Sequence, residues 1–69
     1  MIHEHHLVRL CRDLPSDNLK SGTVGTVVHR YHQSAYYEVE FLVNTRSLVI
    51  TLSHDDIEPI LTPTENAHP

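Results

Sequence analysis

The sequence is short of most things that would hold a small protein together covalently or through a large core. It has 69 residues and a single cysteine, Cys11, so an internal disulfide is excluded. That leaves nothing to suggest a cross-linked secreted scaffold, and a reducing cytoplasm is the expected compartment. Basic residues are scarce, five against nine acidic, for a net charge of −4 with histidine neutral. This argues against nucleic acid as a partner, because such binding draws its affinity from cationic surface. It favours a cationic partner such as a basic protein. No apolar run approaches the ~20 residues that span a bilayer, so no membrane association is expected. Met1-Ile2 leads at once into polar residues, without the basic and apolar regions of a secretion signal. No periodic stretch is long enough for a helix of ten residues, and neither a Cys-x-x-Cys pair nor a helical His-x-x-x-His is present.

What is there is a hairpin. Val24, Val27 and Val28 belong to a β-branched run after Gly22, residues 33–35 form a polar break, and Tyr37-Glu38-Val39-Glu40-Phe41 then alternates strictly. Alternation of this kind marks a strand with one face buried and one in water. Tyr37, Val39 and Phe41 are therefore assigned to the core, and Glu38 and Glu40 to solvent. A first strand is expected over 7–12, with Val8 and Leu10 inward and Arg9 outward. The segment from Asp13 to Gly22 is rich in turn residues, with Leu14 and Leu19 as apolar pegs and Asn18 or Gly22 able to take a positive φ. The second strand is placed from about Thr23 to His32, and Gly25 within it suggests a bulge or a close approach of another backbone. The third strand runs over 36–42, residues 43–47 turn, and a fourth strand covers 48–52 with Leu48, Ile50 and Leu52 inward. Ser53-His54-Asp55-Asp56 suits one 3₁₀ turn capped by Ser53. Ile57 to Leu61 closes as a last strand confined to an edge by Pro59.

The expected fold is thus all-β: a small five-stranded SH3-like barrel with a 3₁₀ turn before the last strand. The barrel domain is assigned to residues 1–61 and a disordered C-terminal tail to 62–69. A chain this small buries only about 60% of its unfolded surface and is marginal alone, so a homodimer or another protein partner would help it.

The order Asp13-Leu14-Pro15, Leu19-Lys20-Ser21-Gly22, Val24-Gly25-Thr26-Val27-Val28, Tyr37-Glu38-Val39-Glu40-Phe41 and Val49-Ile50-Thr51-Leu52 resembles a family of small bacterial proteins of unknown function. These are of about this length and common in cyanobacteria. The likeness covers roughly residues 3–61 and rests on strand and turn motifs, so it speaks to fold more than activity. It implies an SH3-like barrel. Because the family's genes often lie beside genes of toxin–antitoxin or immunity character, it also implies a role in neutralising a partner. The barrel is similar to the β-subunit fold of nitrile hydratase. Through Gly22-Thr23-Val24-Gly25-Thr26-Val27 it is also similar to ribosome-associated KOW modules. The family carries no catalytic residue set to transfer, and the start His3-Glu4-His5-His6 departs from its pattern.

Several constellations could carry chemistry. His3, Glu4, His5 and His6 are the candidate metal ligands, since His3 and His5 share a face on an extended chain and His29, His32 or His54 could complete a set. Against this stands a frayed N-terminus with incidental histidines that binds zinc, nickel or copper only adventitiously. No physiological cofactor is expected. The seven histidines would move the net charge from −4 to +3 if all were protonated. Cys11 with a histidine could be nucleophile and base, but a lone cysteine on a first strand is more often a small hydrophobe. His54 with Asp55 and Asp56 could be an acid–base cluster, but capping explains these residues better. Tyr36 is placed outside, opposite core Tyr37 and beside Glu38 and Glu40, an arrangement suited to a basic partner with an apolar centre. Asp13 and Asp17 with Glu38 and Glu40 make a diffuse acidic surface that would steer such a partner. Against this, a charged strand face is more often simply solvated, and Tyr36 can equally well just cover the hairpin end. The expectation is a non-enzymatic protein-binding module of antitoxin or immunity type. The alternatives are a histidine-rich metal-binding barrel and a KOW-like nucleic-acid module using Arg9, Arg12, Lys20, Arg30 and Arg46.

Overall fold

The computed structural model describes residue 2 and residues 5–60. Five strands form one antiparallel sheet: β1 (Leu7–Leu10), β2 (Val24–Arg30), β3 (Tyr36–Val43), β4 (Arg46–Ser53) and β5 (Ile57–Pro59). Their order is β4-β3-β2-β1-β5, so a β2-β3-β4 meander is completed by β5 returning to the far side of β1. This is the strand order of an SH3-like barrel, as expected from the sequence. The assigned tail, 62–69, and the last residue of the assigned domain, Leu61, lie outside the described residues, as do His3 and Glu4. Among the described residues no helix is long and apolar enough to cross a membrane.

The alternating pattern of β3 is realised in full. Val39 and Phe41 have no exposed surface and Tyr37 is 8% exposed. They pack with Ile2, Val8, Leu10, Leu14, Leu19, Val27, Leu52 and Ile57 into one core, against which Val43, Leu48 and Ile50 lie half-buried. Side chains of successive residues leave a strand on opposite faces, so burying the odd positions of β3 fixes Tyr36, Glu38, Glu40 and Leu42 on the outer face.

Strand β2 must serve two partners, pairing with β1 through Leu7↔Thr26, Val8↔Gly25 and Arg9↔Val24, and with β3 on its other side. It bends at a bulge: Val27 pairs with Val39 but His29 pairs with Glu38, leaving Val28 as the extra residue. The bulge is therefore at Val28 and not at Gly25. Glycine at 25 answers a different need, close approach by side chains and not by backbone. A Cβ there would stand 2.7 Å from Phe41 Cε1 and 2.8 Å from Val39 Cγ1, so the Phe41 ring lies directly on the Gly25 backbone. The strand ends at Arg30, two residues before the expected end, because the Tyr31 N–H already closes the hairpin onto the Tyr36 carbonyl (3.2 Å).

The first strand stops at Leu10, and the long loop that follows is closed on that residue. Leu10 donates to the Thr23 carbonyl (2.9 Å) and accepts from the Gly22 N–H (2.8 Å). Within the loop Leu14 and Leu19 exchange backbone hydrogen bonds of 2.7 and 3.1 Å, and both side chains are buried. Between them Pro15–Asp17 forms a short 3₁₀ helix, ended by Asn18 at φ 58°. Gly22 also takes positive φ, 93°, so both candidate positions are used. At the other turn, before β5, the Asp56 N–H donates to the Ser53 carbonyl (2.9 Å), a single 3₁₀-type turn. Ser53 Oγ accepts the Asp55 N–H (3.0 Å), the expected cap. Asp56 closes the turn by accepting the Ser53 N–H (3.0 Å) and binds Arg12 Nε at 2.7 Å, tying the first loop to this corner.

Candidate partner-binding face

The outer face of the β2-β3-β4 meander is built by register. A two-residue connection, Asn44-Thr45 with Asn44 at φ 58°, joins β3 to β4. Once Val43 pairs with Arg46, the ladder sets Leu42 beside Ser47, Glu40 beside Val49, Glu38 beside Thr51 and Tyr36 beside Ser53. On the other side Thr26 stands beside Glu40 and His29 beside Glu38. A row of carboxylates along β3 is thereby flanked on both sides by short hydroxyl side chains and by imidazole.

These neighbours hold the carboxylates in place. Glu38 accepts the Tyr31 hydroxyl (2.6 Å) at Oε2, and Thr51 Oγ1 lies 2.8 Å from both of its oxygens. Ser47 Oγ donates to Glu40 Oε2 (2.5 Å). The hydrogen bond from Tyr31, followed by that from Thr51, holds the Glu38 carboxyl below its ordinary range, with the facing His29 pulling the same way and partial burial opposing. The same bond raises the Tyr31 phenol above its ordinary value. Tyr31 in turn meets the His29 ring edge-on, with centroids 4.6 Å apart. Glu38 is therefore ionised throughout the neutral range and fixed in direction.

Around this row the face is aromatic at one end and aliphatic at the other. Tyr31 and Tyr36 are 41% and 50% exposed at the β2-β3 hairpin, while Leu42, Val49 and Val24 are 76%, 52% and 51% exposed toward the β3-β4 turn. Tyr36, Glu38 and Glu40 thus come together as the sequence suggested. Asp13 and Asp17 stand in the first loop and not on this face. Asp13 Oδ1 accepts the Ser21 N–H (2.8 Å), clasping the loop. Asp17 lines a shallow cleft of about 380 Å³ with Ser16, Asn18, Val43, Arg46 and Leu48.

Sequence reasoning missed Thr51, Ser47 and the Tyr31 hydroxyl. The register implied by a tight turn at 44–45 was the signal that would have found the first two. For the metal reading, His3 and Glu4 lie outside the described residues. Of the rest, His5 takes φ 70° and hydrogen-bonds through its backbone to the Val27 carbonyl (2.6 Å), while His6 accepts the Val27 N–H (2.9 Å). Among the described residues no group of three or more histidine, cysteine, aspartate or glutamate side chains is placed to hold a metal ion. Cys11 is exposed. His54 lies 3.5 Å from Asp55, and both side chains are exposed.

Fold and face together define the class: a small SH3-like barrel with an ordered acidic and aromatic sheet surface. The chain belongs to the DUF4926 family, a domain of unknown function, which matches residues 4–59. No curated protein and no solved structure matches it.

Proposed function

We propose that this protein is a non-enzymatic binding module whose β2-β3-β4 face takes a basic protein partner. One observation carries the reading. Glu38 and Glu40 are held by uncharged hydroxyl donors, Tyr31, Thr51 and Ser47, which fix their directions without cancelling their charge. A carboxylate row fixed in this way loses little side-chain freedom on meeting a cation, and charge-assisted hydrogen bonds to arginine or lysine are the stronger kind. The exposed tyrosines at one end and Leu42 and Val49 at the other supply the apolar contacts that an acidic row alone lacks. Of the five basic side chains, two are paired internally, Arg9 with Glu58 (3.3 Å) and Arg12 with Asp56 (2.7 Å), which leaves little cationic surface and supports a protein over a nucleic-acid partner. Neutralising a basic protein encoded nearby, as an antitoxin or immunity protein does, is the specific form the family likeness suggests.

The test is an affinity comparison from lysate of the source organism between the natural chain and the Glu38→Gln/Glu40→Gln variant. A basic protein should be retained at physiological salt by the first, released by raised salt, and lost with the second. Identical retention by both baits sinks the reading.

A further inference from the structure

We propose that the open edge of β4 is a self-association edge, along which a second copy of this chain adds its own β4 antiparallel to the first. The two edges of the sheet are β4 and β5, and they are built differently. The β5 edge is three residues long, ends in Pro59, which has no N–H to offer, and carries Glu58 paired with Arg9. Short length, proline and charge are the usual protections of an edge. The β4 edge, Arg46-Ser-Leu-Val-Ile-Thr-Leu-Ser53, has eight residues and no proline, glycine or bulge, and its only charge is at its first residue.

Its backbone is set up for pairing. In an antiparallel ladder closed by a two-residue turn at Val43↔Arg46, alternate residues of β4 direct N–H and C=O away from β3: Ser47, Val49, Thr51 and Ser53. Ser53 confirms the parity, since its N–H goes to Asp56 Oδ2 (3.0 Å) and its carbonyl takes the Asp56 N–H (2.9 Å). Among the described residues, Ser47, Val49 and Thr51 have no backbone partner on that side. Three such residues centred on Val49 are self-complementary about a two-fold axis. Val49 meets its counterpart, and Ser47 meets the counterpart of Thr51.

The side chains agree with this register. On the inner face Leu48 and Ile50 are only half-buried, although Phe41 and Val39 opposite them have no exposed surface, so the core is uncovered at this edge alone along the pair. The two-fold places Leu48 of one copy beside Ile50 of the other, extending the core across the seam. On the outer face it joins Val49, 52% exposed, to its counterpart. No like charges oppose one another. The Glu40 rows would lie three strand spacings apart, ~14 Å, beyond the ~8 Å screening length at physiological salt. The dimer would present two acidic faces on one side of a continuous sheet. The edge shares Val49 with the aliphatic end of the partner face but leaves the Tyr36–Glu38–Glu40 row open, so either proposal can fail without the other.

Sedimentation equilibrium of the full chain from micromolar to millimolar concentration tests it, together with Val49→Lys, which sets like charges directly opposite. The natural chain should reach twice the monomer mass. Val49→Lys should lose the dimer with an unchanged far-ultraviolet circular dichroism spectrum, and Val24→Lys, on the same face but away from the edge, should keep it. Amide exchange on the natural chain gives a second readout that no variant can spoil by misfolding. The Ser47, Val49 and Thr51 amides should gain protection as concentration rises. A chain monomeric at millimolar concentration, a dimer untouched by Val49→Lys, or three unprotected amides in the dimer overturns the proposal. So does a β4 edge that pairs only with a strand of another protein.

Discussion

Glycine 25 shows how one residue sets the packing of the whole barrel. It pairs with Val8 on β1 while the Phe41 ring occupies the space its side chain would need. Both facing atoms belong to fully buried side chains, so neither can swing away. Gly25→Ala should therefore destabilise the fold by about 1–3 kcal/mol, the usual range for overpacking a core, as measured by urea denaturation. An undiminished midpoint would mean that the ring has room to shift. Glu38 makes a residue-scale statement about pH. Its folded-state carboxyl is held below the ordinary range chiefly by the Tyr31 hydroxyl. A depressed carboxylate contributes stability that is present above its ordinary titration range and lost as pH falls through the folded-state value. Tyr31→Phe should accordingly raise the Glu38 titration midpoint toward the ordinary value in a carboxyl NMR titration. It should cost stability at neutral pH but not below the carboxylate range. A Glu38 midpoint unmoved by the substitution would place the cause elsewhere.

The elements differ in how openly their sequence declares them. Strand β3 was legible but for its last residue, Val43, because Tyr37-Glu38-Val39-Glu40-Phe41 has one face on the core and one in water, the situation in which alternation is strict. The loop pegs Leu14 and Leu19 were legible as isolated apolar residues in a polar stretch, and they do pair. The β2 bulge was not. Val27-Val28 reads as a continuous apolar run, and only pairing with β3 shows that Val28 is the residue left over. Nor could Gly25 be assigned to a ring contact before Phe41 was known to lie opposite. The site was half legible: period two gives Tyr36, Glu38 and Glu40, but Thr51 and Ser47 lie 13 and 7 residues from their partners and require the turn register. In the first loop, Asn18 ends the 3₁₀ helix at φ 58°, a conformation that costs residues with a Cβ and no local polar group. Asn18→Ala should lower stability by about 1 kcal/mol, while Asn18→Gly should be nearly neutral in the same denaturation assay. Equal losses from both would shift the explanation from backbone to side-chain contacts.

For the whole molecule, the account joins a small core, an unprotected β4 edge and a face on which carboxylates are held in position by hydroxyls. In the described chain, buried polar side chains are absent, so the core supplies stability and the outer face is free to differ in chemistry. A net charge of −4 sets the sign of the long-range field, and the β3 row gives it direction. The measurement that tests the central claim most directly is chemical-shift mapping of the isotope-labelled protein titrated with the basic partner recovered from lysate. The account predicts that the largest shifts fall on Tyr31, Tyr36, Glu38, Glu40 and Thr51 and weaken as salt is raised. Shifts confined to the first loop and the cleft at Asp17 and Arg46, with the β3 row unmoved, would contradict it.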